Sequence, residues 1–298
     1  LDAWQELQLG AGRTLLRRTG GLTIGPASGS AAAAALRSAS THGVPVEVLA
    51  RADLMARFPE FCCGADDIAI WEPGAGVLAV ERCVDALLNA AHAAGAALRP
   101  GEPVFGWSTS DTAVELTTSR GHVRAARVVL AAGPWLGPLL GDIAPPLTVE
   151  RNLSVWFEPS PGLDPARLPA FIHDAGDRIW YGVPEPGALK AGLHHTGEVR
   201  SIDGLGADID ARDIAAVRSR VDALIPKWVG RLRDARVCPY TNTPDHHFLI
   251  DRVPGEERVI VVSACSGHGF KFAPVVAELT RDLLLEEAAP PAAFRWRW

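Results

Sequence analysis

Lysine occurs only at Lys190, Lys227 and Lys271 in this 298-residue chain, and tyrosine only at Tyr181 and Tyr240. Nearly every other cation is arginine, which can replace a solvated surface lysine but not a compact, titratable ammonium, so each lysine is a candidate for chemistry. The segment D-R-I-W-Y-G-V-P-E-P-G-A-L-K-A-G-L-H-H reads as a β-hairpin. Its two-residue period puts Lys190, Gly192 and His194 on one face of the second strand, with His195 pointing away. Tyr181 lies across from them, while Trp180 faces the other side and packs. Two further segments flank a strand: C-P-Y-T-N-T-P-D-H-H-F-L-I-D from Cys238 and S-G-H-G-F-K-F from Ser266. In the second, glycines allow a tight strand-to-helix turn whose backbone can approach a ligand closely. The helix A-P-V-V-A-E-L-T-R-D-L-L-L then aims its positive end at the turn, where negative charge developing on a ligand is stabilised. Cys238 offers a thiolate nucleophile wherever a cation or an oriented amide lowers its pKa.

A folded core of ordinary composition must position these groups. Hydrophobic residues make up 48% and charged residues 21%, which excludes a disordered tail, a collagen-like repeat and a coiled coil. No apolar run reaches the roughly 18 residues of a membrane span. With a net charge of −6 no basic face points to nucleic acid, so the expected partner is a small molecule. The five cysteines lack C-x-x-C spacing and no signal-peptide pattern opens the chain, which fits a reducing cytoplasm. His194–His195 and His246–His247 are adjacent pairs that point in opposite directions on a strand, so no metal site is expected.

The pattern of elements is α/β. L-D-A-W-Q-E-L-Q-L reads as a helix with no cap or strand before it, R-T-G-G-L-T-I-G as a strand, and S-G-S-A-A-A-A-A-L-R-S-A-S-T-H-G as a helix ended by Gly43. A short strand V-P-V-E-V-L-A and a helix stopped by Pro59 follow, then a helix from about Val80 to His92. A-V-E-L-T-T-S and H-V-R-A-A-R-V-V-L-A-A-G alternate as two strands, the apolar run from Arg127 to Gly133 reading as a buried sheet strand. From Pro146 to Arg236 the pattern is antiparallel, with D-A-R-D-I-A-A-V-R-S-R-V-D-A-L-I as an amphipathic helix. The last part returns to strand, glycine turn and helix, and A-A-P-P-A-A-F-R-W-R-W reads as an irregular tail.

The two C-terminal motifs, together with R-T-G-G-L, E-P-G-A-G-V-L and L-A-A-G-P-W in that order, resemble the monomeric sarcosine oxidase and N-methyltryptophan oxidase family, flavoenzymes of the D-amino-acid-oxidase-like superfamily. The resemblance implies a Rossmann-like FAD-binding domain over residues 1–14, 80–145 and 237–298, interleaved with an antiparallel-sheet substrate domain over 15–79 and 146–236. It implies FAD as cofactor, joined through Cys238 by a thioether, with Val104, Ala132, Gly133, Trp135, Gly267, His268, Gly269 and Phe270 around it. Lys271 is implied as a substrate-carboxylate contact, Lys190 as the ammonium near the site of oxygen reduction, and Tyr181, His194 and Tyr240 as further groups around flavin and substrate. The implied activity is oxidation of a secondary amine such as sarcosine or another N-methyl or cyclic amino acid, with oxygen as acceptor, giving imine and hydrogen peroxide.

The family's G-x-G-x-x-G turn is not found: Gly10 and Gly12 have no strand before them, and Gly20 to Gly25 lacks the residues of a phosphate loop. The expectation is therefore that an N-terminal βαβ segment for the FAD pyrophosphate is missing and supplied upstream or by a partner chain. The alternative function is a truncated non-catalytic remnant or one component of a split flavoenzyme.

Overall fold

The computed structural model describes residues 1–205, 208–263 and 265–298. Ala264, in the expected run from strand to glycine turn, lies outside the described residues. In chain order the elements are α1 (Asp2–Ala11), β1 (Leu16–Arg17), β2 (Gly21–Pro26), α2 (Ser30–His42), β3 (Glu47–Ala50), α3 (Arg51–Arg57), β4 (Asp67–Glu72), β5 (Val77–Leu78) and α4 (Val80–Ala93). There follow β6 (Val104–Thr109), β7 (Val114–Thr118), β8 (Gly121–Ala125), β9 (Val128–Leu130), α5 (Leu136–Leu140), β10 (Thr148–Pro159), β11 (Ala170–Asp174), β12 (Ile179–Glu185) and β13 (Ala188–His194). The chain continues with α6 (Ala211–Leu224), β14 (Val229–Asn242), β15 (Leu249–Val253), β16 (Glu256–Ser263) and α7 (Ala273–Leu284).

An eight-stranded sheet runs β14-β10-β13-β12-β11-β2-β4-β3. One face is apolar because the alternate positions Leu153, Val155 and Phe157 of β10 and Leu189 and Ala191 of β13 are apolar; they form one core with Leu22, Ile24, Phe61, Phe171 and the buried stripe Val217, Val221 and Leu224 of α6. Trp180 packs against the same core, as its alternation predicts. The sheet is not purely antiparallel: β11 pairs parallel with β2, bringing Ala170 opposite Gly21 and His173 opposite Ile24. A second sheet, β15-β16-β9, pairs β16 parallel to β9 and packs Leu130, Leu249, Val259 and Val261 against Leu136 and Leu140 of α5.

One strand reading is kept and one is corrected. R-T-G-G-L-T-I-G holds the strand β2, which starts just after Gly20, whose φ of +67° and contact with the Trp71 ring leave no room for a side chain. H-V-R-A-A-R-V-V-L-A-A-G divides: β8 pairs with β7, whereas β9 changes sheet to pair with β16. In place of a buried strand from Arg127 to Gly133, β9 is three residues long at a sheet edge, with Val129 37% exposed. The tail is irregular but tied down, Arg297 pairing with Asp245 and the Trp296 amide donating to Asp251 at 2.8 Å.

Candidate active site

The core-facing alternation of the large sheet forces a polar set onto its other face. In register, Tyr181 sits opposite Gly192 and Val183 opposite Lys190; on the other side of β13, Ser154 meets Gly192 and Trp156 meets Lys190. β14 continues the row, Cys238 opposite Asn152 and Tyr240 opposite Glu150. Tyr181, Lys190, His194, Cys238 and Tyr240 therefore share one face. Gly192 is required there, since a Cβ would lie 2.5 Å from the Tyr181 hydroxyl and 2.6 Å from the Leu153 carbonyl.

This face meets the glycine turn after β16. The Ser266 amide donates to the Thr241 carbonyl at 3.0 Å, and Gly267, at φ +73°, lies flat against the Tyr240 ring where any side chain would collide. From the far side, Trp4 of α1 stacks on Phe270 at 5.7 Å and its indole N–H donates to the Lys271 carbonyl at 2.8 Å. Between turn, β14, β9, β16 and α7 runs a groove of about 790 Å³. Its walls include Val129, Ala131, Val262, Val276 and Leu284, and its polar end carries Cys238, Tyr240, Gly267, His268, Gly269 and Phe270. A second cavity of about 550 Å³ has Tyr181, Val183, Ile172 and Lys271 among its walls together with Ala35 and Ser38 of α2. An apolar groove with a glycine edge suits a flat heteroaromatic ring.

Residues 1–283 match DAO, the FAD dependent oxidoreductase family. The chain belongs to that family. It is 32% identical over 95% of its length to a monomeric sarcosine oxidase of Streptomyces avermitilis, covering 76% of that protein. It is 33% identical to an N-methyl-L-tryptophan oxidase of Salmonella arizonae, covering 95% of this chain and 77% of that one. Its fold is that of the open form of NikD, an amino acid oxidase, with a TM-score of 0.84 at 23% identity over 98% of this chain and 79% of NikD. Glycine oxidase from Geobacillus kaustophilus has a TM-score of 0.83 at 21% identity over 99% and 79%. The expected family and α/β fold are thus borne out. The groove fits the ring-bearing end of FAD by its shape, its glycine turn against Tyr240 and its apolar walls.

The other residues expected in this FAD dependent oxidoreductase's site are distributed unevenly. Lys190 and His194 line neither cavity. The Lys190 ammonium rests over the Trp156 ring at 5.2 Å, and His194 Nδ1 stands 3.5 Å from the Tyr240 hydroxyl. Val104 lies at the start of β6 and Trp135 is 57% exposed in a short 3-10 turn with Gly133; these two, Ala132 and Gly133 line neither cavity, whereas Val129 and Ala131 do. His195 corrects the alternation: at φ 61° it leaves the strand, and its Nδ1 meets a Glu150 oxygen at 2.9 Å with its ring 4.2 Å from that of His194. Glu150 is 4% exposed and also accepts from the Gly197 amide and the Asn242 side chain, both at 2.8 Å. Sequence reasoning passed over Glu150 and Ser154. Their signal was present, because Glu150, Asn152 and Ser154 alternate with the apolar positions of β10.

Charge at the site follows from burial. Desolvation, aided by His195, His268 and Lys271, lowers the His194 pKa to about 4, so its ring is neutral at pH 7. Burial raises both phenols, Tyr240 strongly with Tyr181, Cys238 and Glu150 adding to the effect, so both stay protonated. Burial also pushes Glu150 up, but its bonds from His195, Gly197 and Asn242 outweigh that and hold it below the usual carboxylate value. The Lys271 ammonium donates to the His268 carbonyl at 3.0 Å and, partly buried within an otherwise exposed residue, is lowered by desolvation. Tyr181 keeps its hydroxyl 3.1 Å from Ser154.

Proposed function

We propose that the chain carries the ring-holding and substrate-facing parts of an FAD-dependent oxidase of secondary amines, with sarcosine or another N-methyl or cyclic amino acid as substrate. The observation that carries this reading is the single sheet face shared by Tyr181, Lys190, His194, Cys238 and Tyr240 and closed by the Gly267–Lys271 turn. Bound FAD would take two electrons and two protons from the amine to leave an imine, and pass them to oxygen as hydrogen peroxide. The Lys271 ammonium binds the substrate carboxylate, and neutral His194 with protonated Tyr181 and Tyr240 presents a site without net anionic charge to an amine losing electrons. Lys190, held on Trp156, supplies positive charge where oxygen is reduced. The Cys238 thiol, exposed at the groove end, would hold FAD through a thioether, the two electrons and two protons released from its S–H and a flavin methyl C–H passing to oxygen. In this reading residues 1–14, 80–145 and 237–298 bind FAD, residues 15–79 and 146–236 bind substrate, and the protein works in a reducing cytoplasm with its cysteines free.

The test is peroxide release from sarcosine and N-methyl amino acids by the flavin-loaded protein. After acid precipitation flavin should stay with the pellet and be released in Cys238→Ser; flavin that remains bound in that variant removes the thioether. Absence of peroxide with every secondary amine, from a protein with a flavin spectrum, overturns the oxidase. A second reading rests on β9, which among the described residues pairs only with β16. A further βαβ unit, upstream or on another chain, would pair with that edge and hold the FAD pyrophosphate, and the 298 residues alone would be a non-catalytic component. Tight FAD binding by these residues in titration calorimetry excludes it.

A further inference from the structure

The other face of the large sheet holds a cavity that the flavin-side reading does not use. It measures about 290 Å³ and opens between the end of β2, the Cys62–Gly64 loop, the end of β11 and α6. His173 lies here because it shares the core-facing side of β11 with Phe171, whereas Ile172 between them lines the cavity that holds Tyr181. His173 is 9% exposed and its Nδ1 has no hydrogen-bond partner among the described residues; the same is true of Nε of Arg220, which also lines the cavity. Buried polar atoms are rarely left unpaired, and two facing one small cavity mark a place built for a polar guest.

The charges narrow the guest. Burial, then the Arg220 charge, lowers the His173 pKa, with Asp67 and Asp174 opposing, so all four groups act on one another and the ring is neutral. Asp174 is engaged by the amides of Ala31 and Gly176. Asp67 accepts from the Gly64 amide at 2.7 Å through Oδ2 alone, leaving Oδ1 as an acceptor. One guanidinium and two carboxylates repel a simple anion, and a simple cation leaves both donors unanswered. We propose that this cavity binds a small α-amino acid zwitterion, its carboxylate accepting from Arg220 Nε and His173 Nδ1 and its ammonium donating to Asp67. The guest does not react there, and the assignment is independent of the flavin-side reading.

Cys62 lines the cavity and is exposed, so its alkylation reports occupancy; Cys238, on the opposite face, serves as the internal reference. Iodoacetamide labelling of the native chain, read peptide by peptide by mass spectrometry, should slow at Cys62 when glycine is added. At a glycine concentration about four times its Kd the slowing should be about fivefold, because labelling follows the unliganded fraction. Acetate or methylammonium alone, at equal ionic strength, should protect far less. Arg220→Met and the half-buried Asp67→Asn should each abolish protection while leaving the chain folded and the glycine-free labelling rate of Cys238 unchanged. Absence of protection in the native chain, equal protection by acetate, or protection that survives in both variants overturns the proposal and leaves a water-filled cavity.

Discussion

The two sheets that meet at the groove are held in place by different means. In the large sheet each site residue is fixed by its register on β10, β12, β13 or β14 and by the apolar core beneath it. On the small-sheet side, β9 pairs only with β16 among the described residues, and the glycine turn is held by a few long-range ties: the Ser266 amide to Thr241, the His268 ring to the His246 carbonyl and the Trp4 indole to the Lys271 carbonyl. The first half of the site is set by the sheet whatever fills the groove; the second half is set by a few contacts and by whatever covers β9.

The core beneath the large sheet gives the largest test. Phe157 is fully buried there, and Phe157→Ala should destabilise by about 3–5 kcal/mol in denaturant unfolding. Val129→Ala, on the partly exposed edge strand β9, should stay within about 0.5 kcal/mol. Equal losses would erase the contrast. Gly192→Ala should lose about 1–3 kcal/mol and displace the Tyr181 ring, seen as a shift in tyrosine absorbance, because the new Cβ meets both the phenol and the Leu153 carbonyl.

Acid should act on the polar face next. His194 is lowered from 6.5 to about 4, so the unfolded chain takes up that proton first and stability falls as pH drops from 6.5 toward 4. Glu150 lies below its ordinary 4.5, so its contribution is complete above 4.5 and is lost as pH falls further, through the lowered value. Thermal melts across this range should show His194→Asn flattening the upper part of the slope and Glu150→Gln the lower. The turn gives a local effect. Trp4→Phe keeps the stacking on Phe270 but removes the bond to Lys271, losing about 1 kcal/mol. In the flavin-loaded protein it should raise KM more than it lowers kcat, since Lys271 is the proposed carboxylate contact.

The hairpin of β12 and β13 was legible because its two-residue period is local: Lys190, Gly192 and His194 face Tyr181 as the alternation requires. α6 was legible for the same reason at helical period. His195 was not, because a hydrogen bond to Glu150, 45 positions away in sequence, turns it out of the strand. The divide between β8 and β9 was hidden because alternation states which side faces inward but not which strand is the partner. The hold of Trp4 on Lys271 spans 267 positions and leaves no periodic trace.

The parallel pairing of β2 with β11 also governs how the molecule can assemble. Antiparallel neighbours such as β12 and β13 can zip from a tight turn, but Gly21 and Ala170 meet across roughly 150 residues of chain, and that closure entropy is lost before any ladder bond repays it. By contact order, the β11–β12–β13 meander is expected to form before β2, β3 and β4 dock on it. Until that docking, Phe171 lacks the edge contact with Phe61, and the half-formed sheet presents β11 as a bare edge to other chains.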